Sequence, residues 1–329
     1  MDAEYVIRLR DEMMQEKCSV EYIERCCAYA QRLVDRDLPV IFDRTHLMKI
    51  LYLSYSQMAS YTTFYVRGKN KTRTISAPSV NLKMRQRWIL DEILSKESIS
   101  HCVHGFVKGR SIVTNARQHI NQKFMLNIDI KDFFPSISED MVVEIFRSIG
   151  YSHGAAAALA DVCCYRRQLP QGAVTSPYLS NLIFRKIDAE LLDYTTSLNC
   201  RYSRYADDIT ISGNIPMETP LGKITAILEK HGFSLNEQKT RIYGETQVKR
   251  VTGLVVSDRV RIPKQFKRAL KKELYFCRKF GAMRHLENIS ATKYVNFQEH
   301  IYGKIYYVNA VEPAFAKRLL KEADTIIWT

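Results

Sequence analysis

Arg204-Tyr205-Ala206-Asp207-Asp208-Ile209-Thr210-Ile211-Ser212 decides how the rest of this 329-residue chain is read. Side chains alternate along it with the period of two of an extended strand. The spacing predicts a β-hairpin with Asp207 and Asp208 at or near its tip. Adjacent carboxylates there repel one another and invite a cation, and Mg²⁺ takes carboxylates, water and substrate phosphates. A solvated Asp-Asp turn has the same letters, so the pair needs partners elsewhere before it implies chemistry.

The partner lies upstream. Phe124-Met125-Leu126-Asn127-Ile128-Asp129-Ile130 reads as an apolar strand with an acid near its end. Two strands laid side by side would bring Asp129 and Asp207 across two Mg²⁺ ions, the arrangement that stabilises both the attacking and the leaving oxygens of a phosphoryl transfer. Alone, Asp129 also reads as a turn acid or helix cap.

Around these strands the pattern is mixed. Residues 3–35 and Arg44–Gln57 read as helices. Thr62–Val66 and Thr72–Ala77 read as strands joined by the basic turn Arg67-Gly68-Lys69-Asn70-Lys71. Helices are predicted over Leu82–Ser98, Glu139–Ile149, Ala155–Tyr165, Ser176–Leu198 (with Pro177 in its first turn) and Leu221–His231. Arg250–Val256 reads as a strand, and the remainder as mostly helical. Without regular βαβ repetition this is an α+β chain.

The chain is 46% hydrophobic, enough for a sizeable core, and its length suits two or three domains or subdomains. No apolar run is long enough to span a membrane, and Met1-Asp2-Ala3-Glu4 lacks the order of a signal peptide, so a cytoplasmic protein with no membrane partner is expected. None of the eight cysteines forms a C-x-x-C pair; buried thiols are expected rather than zinc ligands. The net charge of +14 calls for a polyanionic partner. Residues 1–40 carry a net −3 and residues 261–329 a net +8. That basic segment is interleaved with Phe266, Tyr275, Phe276, Phe280, Tyr294, Phe297, Tyr302, Tyr306 and Tyr307, a composition that serves either a core or a groove gripping nucleic acid.

At this point the chain resembles the reverse transcriptases. Leu126–Phe134 looks like their first acidic motif, Leu169-Pro170-Gln171-Gly172 with Ser176-Pro177 like the next, Tyr205–Asp208 like their Y-x-D-D signature, and Gly232–Thr240 like the lysine-bearing motif that follows. Asn115-Ala116-Arg117-Gln118-His119 and Val251-Thr252-Gly253 are similar to the N-A-x-x-H and V-T-G elements of the retron branch. The resemblance implies a right-hand polymerase with an antiparallel palm sheet and a helical thumb. It divides the chain into an N-terminal helical extension (1–58), fingers (59–123), palm (124–260, with a fingers insertion near 155–180) and basic thumb (261–329). It implies an RNA-directed DNA polymerase that copies its own structured non-coding RNA into branched msDNA. Synthesis would be primed by an RNA 2′-hydroxyl and serve antiphage defence beside a separate effector protein. No stretch reads as an RNase H domain, so RNA removal is expected from host RNase H in trans.

Residue roles follow from the same motifs. Asp129 and Asp207 are the implied metal ligands with the Ile130 backbone carbonyl, and Asp208 supports the site's charge. Phe134 takes the sugar-gate position, where a ring would clash with a ribonucleotide 2′-hydroxyl; its neighbour Phe133 suits the core. Arg73 would contact the dNTP triphosphate, with Lys71 and Arg67 as looser candidates. Gln171 would brace the nucleotide sugar and template, and Lys239 would neutralise or protonate the pyrophosphate. Val251, Thr252 and Gly253 lie where the primer is gripped. Asn115 and His119, four apart on one helix face, would contact RNA or stabilise the palm. Two other readings stay open: a scaffold that binds msDNA and restrains an effector, and another bacterial reverse transcriptase class such as a group II intron enzyme. Phe134 disfavours an RNA-dependent RNA polymerase.

Overall fold

The computed structural model describes residues 3–52, 60–67, 72–288 and 296–328. The chain sorts into two compact units, each built from three separated stretches. Met1–His101, Ile130–Leu191 and Thr225–Leu235 make one; Cys102–Asp129, Leu192–Ile224 and Asn236–Thr329 make the other. The content is α+β, as expected, with every paired strand antiparallel to its neighbour among the described residues.

In the first unit, helix Val20–Val34 starts at Ser19, whose hydroxyl accepts from the Tyr22 N–H. Its residues Ile23, Cys27, Ala30 and Val34, three or four apart, form the buried face. Helix Glu139–Ile149 begins at the Ser138 cap and stops at Gly150, whose φ of 119° few side chains tolerate. Strands β1 (Tyr61–Arg67) and β2 (Thr72–Pro78) form a ribbon in register from Tyr61↔Pro78 to Arg67↔Thr72. Phe64, Tyr65 and Val66 are exposed on it, while Ser76 and Pro78 are buried at its base. The buried Gln86 amide ties that base down. It donates to the Tyr61 hydroxyl and the Val162 carbonyl and accepts from the Val174 N–H.

The second unit holds the central sheet. Strands β3 (Phe124–Asp129), β4 (Arg201–Tyr205), β5 (Asp208–Gly213) and β6 (Arg241–Tyr243) stand in the order β4-β5-β3-β6. Strand β3 has no solvent face to speak of: Met125, Leu126 and Ile128 are all fully buried. Strands β7 (Lys249–Val251), β8 (Leu254–Val256) and β9 (Val260–Arg261) make a second small sheet. It shares a core with Met125 and with helices Lys264–Phe280, Phe297–Asn309 and Pro313–Ala323, through Leu270, Leu274, Ile301, Ile305, Val308 and Leu319. Phe297 also enters that core, whereas Tyr275, Phe280 and Tyr306 stay exposed, with Lys279 over the rings of Tyr275 and Phe280.

The structure differs from the sequence reading in several places. The helix expected over Arg44–Gln57 runs Arg44–Leu51 and ends with Tyr52 in the left-handed region; the rest of that stretch, and the turn bearing Lys71, lie outside the described residues. The helix expected over Ser176–Leu198 is two helices, Ser176–Ile183 and Arg185–Ser197. Phe184, between them, packs its ring against Phe133 and Phe233. The single strand expected over Arg250–Val256 is the β7–β8 hairpin: Thr252 and Gly253 both take positive φ (45° and 83°), the pattern of a type I′ turn. Six of the eight cysteines are buried free thiols, and Cys18 and Cys26 are half-buried. Among the described residues no helix is long and apolar enough to cross a membrane.

Candidate active site

Strand pairing brings the acids together. Asp129 ends β3 and Asp208 opens β5, and the two are register partners. Directly opposed residues on antiparallel strands hold their Cβ atoms about 5 Å apart on one face. Asp207 sits in the two-residue turn between β4 and β5, after Ala206, whose φ is +57°. The hairpin and its tip are therefore where the alternation put them. Burial pushes the Asp208 carboxyl up to about 6; the Asp207 and Asp129 carboxylates add to that, and Lys239 opposes it. The Asp208 side chain nevertheless keeps an open path to solvent.

Lys239 is the cation of this cluster. Its Nζ lies 2.9 and 2.8 Å from the two Asp129 carboxylate oxygens. The Asn236 N–H donates to the Asp129 carbonyl at 2.7 Å, and the Lys239 N–H donates to the Asn236 carbonyl, so one turn carries Lys239 to Asp129. Hard carboxylate oxygens held close despite their repulsion, one of them already gripping an ammonium, suit a hard divalent cation. Among the described residues no three His, Cys, Asp or Glu side chains close on one point. Ile130, just past β3, pairs with Leu235 in an isolated bridge.

A second group assembles in the first unit. The Ser76 N–H on β2 donates to the Gln171 carbonyl at 2.9 Å, which joins the strand bearing the exposed Arg73 to the loop bearing Gln171. Gly172 makes that approach possible: a Cβ there would lie 2.8 Å from the Ser76 carbonyl oxygen, and its φ is +132°. Phe134 rides on the turn closed by the Ser136 N–H to the Asp132 carbonyl, half-buried, with its ring edge-on to Phe133 at 5.3 Å. Phe133 is the core residue, as expected.

The third group requires a correction. Asn115 and His119, expected to contact RNA or stabilise the palm, are buried at 0% and 1% exposure, which argues against the RNA contact. His119 lies beyond the short helix Ile112–Arg117, and its ring bonds the hydroxyls of Ser212 on β5 (2.6 Å) and Ser203 on β4 (2.7 Å). Burial, reinforced by Arg201 and His104, lowers its pKa to about 3, so the ring is neutral. It fastens the hairpin from within, which is the palm-stabilising role. Val251 is likewise a core side chain, leaving only its backbone for a primer. The Thr252 hydroxyl donates to the Ile112 carbonyl, while Gly253 has open space around it.

Sequence reasoning passed over the support beneath the acids. Arg204, adjacent to the motif, is wholly buried, and its Nη1 donates to the Ala206 carbonyl at 3.1 Å. Its strand is buried on both faces from Tyr202 to Arg204, which the alternation of the sequence does not announce. Gly105 carried no signal in sequence beyond being a glycine.

Residues 66–256 match the family model described as reverse transcriptase (RNA-dependent DNA polymerase). The retron Ec86 reverse transcriptase of Escherichia coli is 35% identical over 285 residues, spanning 85% of this chain and 89% of that protein. Two proteins of Myxococcus xanthus are also similar. The retron Mx162 reverse transcriptase is 28% identical, spanning 83% of this chain and 63% of its own length. The retron Mx65 reverse transcriptase is 31% identical, spanning 79% and 64%.

Proposed function

The chain belongs to the retron reverse transcriptases, RNA-directed DNA polymerases of the right-hand fold that depend on a divalent cation, and from that premise we propose that it synthesises branched msDNA. It copies part of its own structured non-coding RNA, primed by a guanosine 2′-hydroxyl of that RNA. The observation that carries the reading is the pairing of Asp129 with Asp208 across β3 and β5, with Asp207 in the adjoining turn.

In this reading Asp129 and Asp207, with the Ile130 carbonyl, would hold two Mg²⁺ ions, and Asp208 would tune the charge of the site. When bound, the ions supply positive charge to the attacking and leaving oxygens. The primer hydroxyl gives its proton to solvent water, its oxygen bonds to the α-phosphorus of the dNTP, and the bond from that phosphorus to the bridging oxygen breaks to release pyrophosphate. Arg73 orients the triphosphate as a planar fork. Phe134 denies space to a 2′-hydroxyl, Gln171 braces sugar and template, and Lys239 meets the pyrophosphate charge. The backbone of Val251, Thr252 and Gly253 supports the primer strand. The partners are the cognate RNA, msDNA and dNTPs, with host RNase H and a separate effector protein acting in trans in the cytoplasm, as part of antiphage defence.

Primer extension with the cognate RNA, dNTPs and Mg²⁺ tests this. A branched RNA–DNA product is expected from the unaltered protein and none from Asp207→Ala. Unaltered synthesis by Asp207→Ala would sink the assignment.

A further inference from the structure

We infer that Gly105 and Arg204 are positioning residues that set the Tyr205–Asp208 turn at the height the reaction needs. The inference rests on the catalytic reading of Asp129, Asp207 and Asp208 given above.

The turn is strained and must be held. Ala206 has positive φ and Asp207 does not, the pattern of a type II′ turn, whose first central position favours glycine. A non-glycine residue persists there only where its surroundings impose the conformation. Those surroundings are the segment Cys102–Phe106. It lies along the outer edge of β4: the Arg204 N–H donates to the Cys102 carbonyl at 2.9 Å, and the His104 N–H donates to the Arg204 carbonyl at 2.7 Å. Gly105 then passes directly behind the turn. A Cβ on it would lie 2.5 Å from the Ala206 nitrogen and 3.0 Å from the Tyr205 carbonyl carbon. Both are backbone atoms, so no side-chain rotation relieves the overlap. From inside the fold, the buried Arg204 guanidinium holds the Ala206 carbonyl.

The segment is the fixed side of this contact. The Arg110 guanidinium donates to the Val103 carbonyl, and His104 Nδ1 bonds the Thr114 hydroxyl at 2.9 Å. Thr114 in turn closes a capping box with Ser111 at the start of helix Ile112–Arg117. A methyl group on Gly105 therefore displaces the turn, carrying Asp207 and Asp208 away from Asp129. A misplacement of about 1 Å at reacting groups costs on the order of a hundredfold in rate.

The test is single-turnover primer extension by full-length Gly105→Ala on the cognate RNA, normalised to titrated active sites. We expect kcat to fall roughly ten- to a hundredfold while the dNTP KM stays within about twofold, the split of a group that acts only in the transition state. RNA affinity stays unchanged, and the Mg²⁺ concentration for half-maximal rate rises. A purely structural glycine would instead lower the melting temperature and leave the rate per active site intact. Arg204→Lys keeps a buried cation but loses the planar fork; it should show the same split with a smaller loss, and it stands in if Gly105→Ala does not fold. An unchanged rate per active site in the folded variant, or a loss carried by KM, overturns the inference. Asp207→Ala separates the two failures. If it still synthesises DNA, the catalytic reading falls; if it is dead while Gly105→Ala turns over normally, only the positioning role falls.

Discussion

Replacing Lys239 with methionine should strengthen metal binding and weaken catalysis together. In the metal-free protein the Lys239 ammonium sits on both oxygens of Asp129, a carboxylate only 12% exposed, while Lys239 itself is half-exposed at 49%. Screening on the lysine side limits the pair to about 1 kcal/mol. A cation arriving at Asp129 displaces that ammonium, so Lys239→Met removes about 1 kcal/mol of competition, or about a fivefold gain in Mg²⁺ affinity. The metal-free protein loses the same pair, and its melting temperature should drop by about 1–2 °C. The drop is bounded: two full charges about 5 Å apart would repel by about 3 kcal/mol at an effective dielectric of about 20, but Asp208, raised to about 6, relieves part of that by taking a proton. A Mg²⁺ titration followed by thermal shift in wild type and Lys239→Met reads both effects, and primer extension reads the loss of leaving-group support. Equal or weaker Mg²⁺ affinity in the variant would refute the reasoning, because it would mean that the ammonium assists the metal site rather than occupying it.

Other outcomes follow from the same geometry. Asp208 has a folded pKa near 6 against an ordinary 3.8, so between those values the folded state binds more protons than the unfolded; metal-free stability should fall as pH rises from 4 to 6, and Asp208→Asn should flatten that slope in thermal melts. His119→Ala strands two buried hydroxyls and leaves a void, and should cost about 2–4 kcal/mol in denaturant unfolding; the folded variant should bind RNA normally, since the ring does not reach the surface. Ile305→Ala, fully buried in the helical core, should cost about 2–5 kcal/mol, measured by urea unfolding. Phe134→Ala should raise ribonucleotide incorporation by about tenfold or more, read by competition between dNTP and rNTP.

The strands and the acids were legible because they follow local rules. Alternation marked β4 and β5 with Asp207 between them, and an apolar run marked β3 with Asp129 at its end. What escaped depends on distant partners. Nothing local announces that Phe184 turns into a cluster with Phe133 and Phe233, which breaks an otherwise continuous helix. His119 read as sharing one helix face with Asn115, open to either RNA or the palm, because the partners that settle its burial lie 84 and 93 residues away. The same holds for Lys239, which meets Asp129 across 110 residues. Arg204 defied the expectation that charge stays in water, since it finds a backbone carbonyl inside the fold. The V-T-G turn was missed for a local reason: Thr252 is a β-branched residue at positive φ, which composition argues against.

The interleaving of the two units bears on how the protein is born. Strand β3 is complete at residue 129, but its neighbours β5 and β6 come at residues 208–213 and 241–243. At about 5–20 residues per second of synthesis, β3 leaves the ribosome roughly 10 s before β6 can cover its second edge. For that interval a strand as apolar as Met125-Leu126-Ile128 has an open edge, the condition that favours intermolecular pairing. Neither unit can close before its last stretch is made, so assembly is a late, long-range event, and such topologies fold slowly. Heterologous expression should therefore gain more from slowed initiation or a holdase chaperone than from any surface redesign of the finished protein.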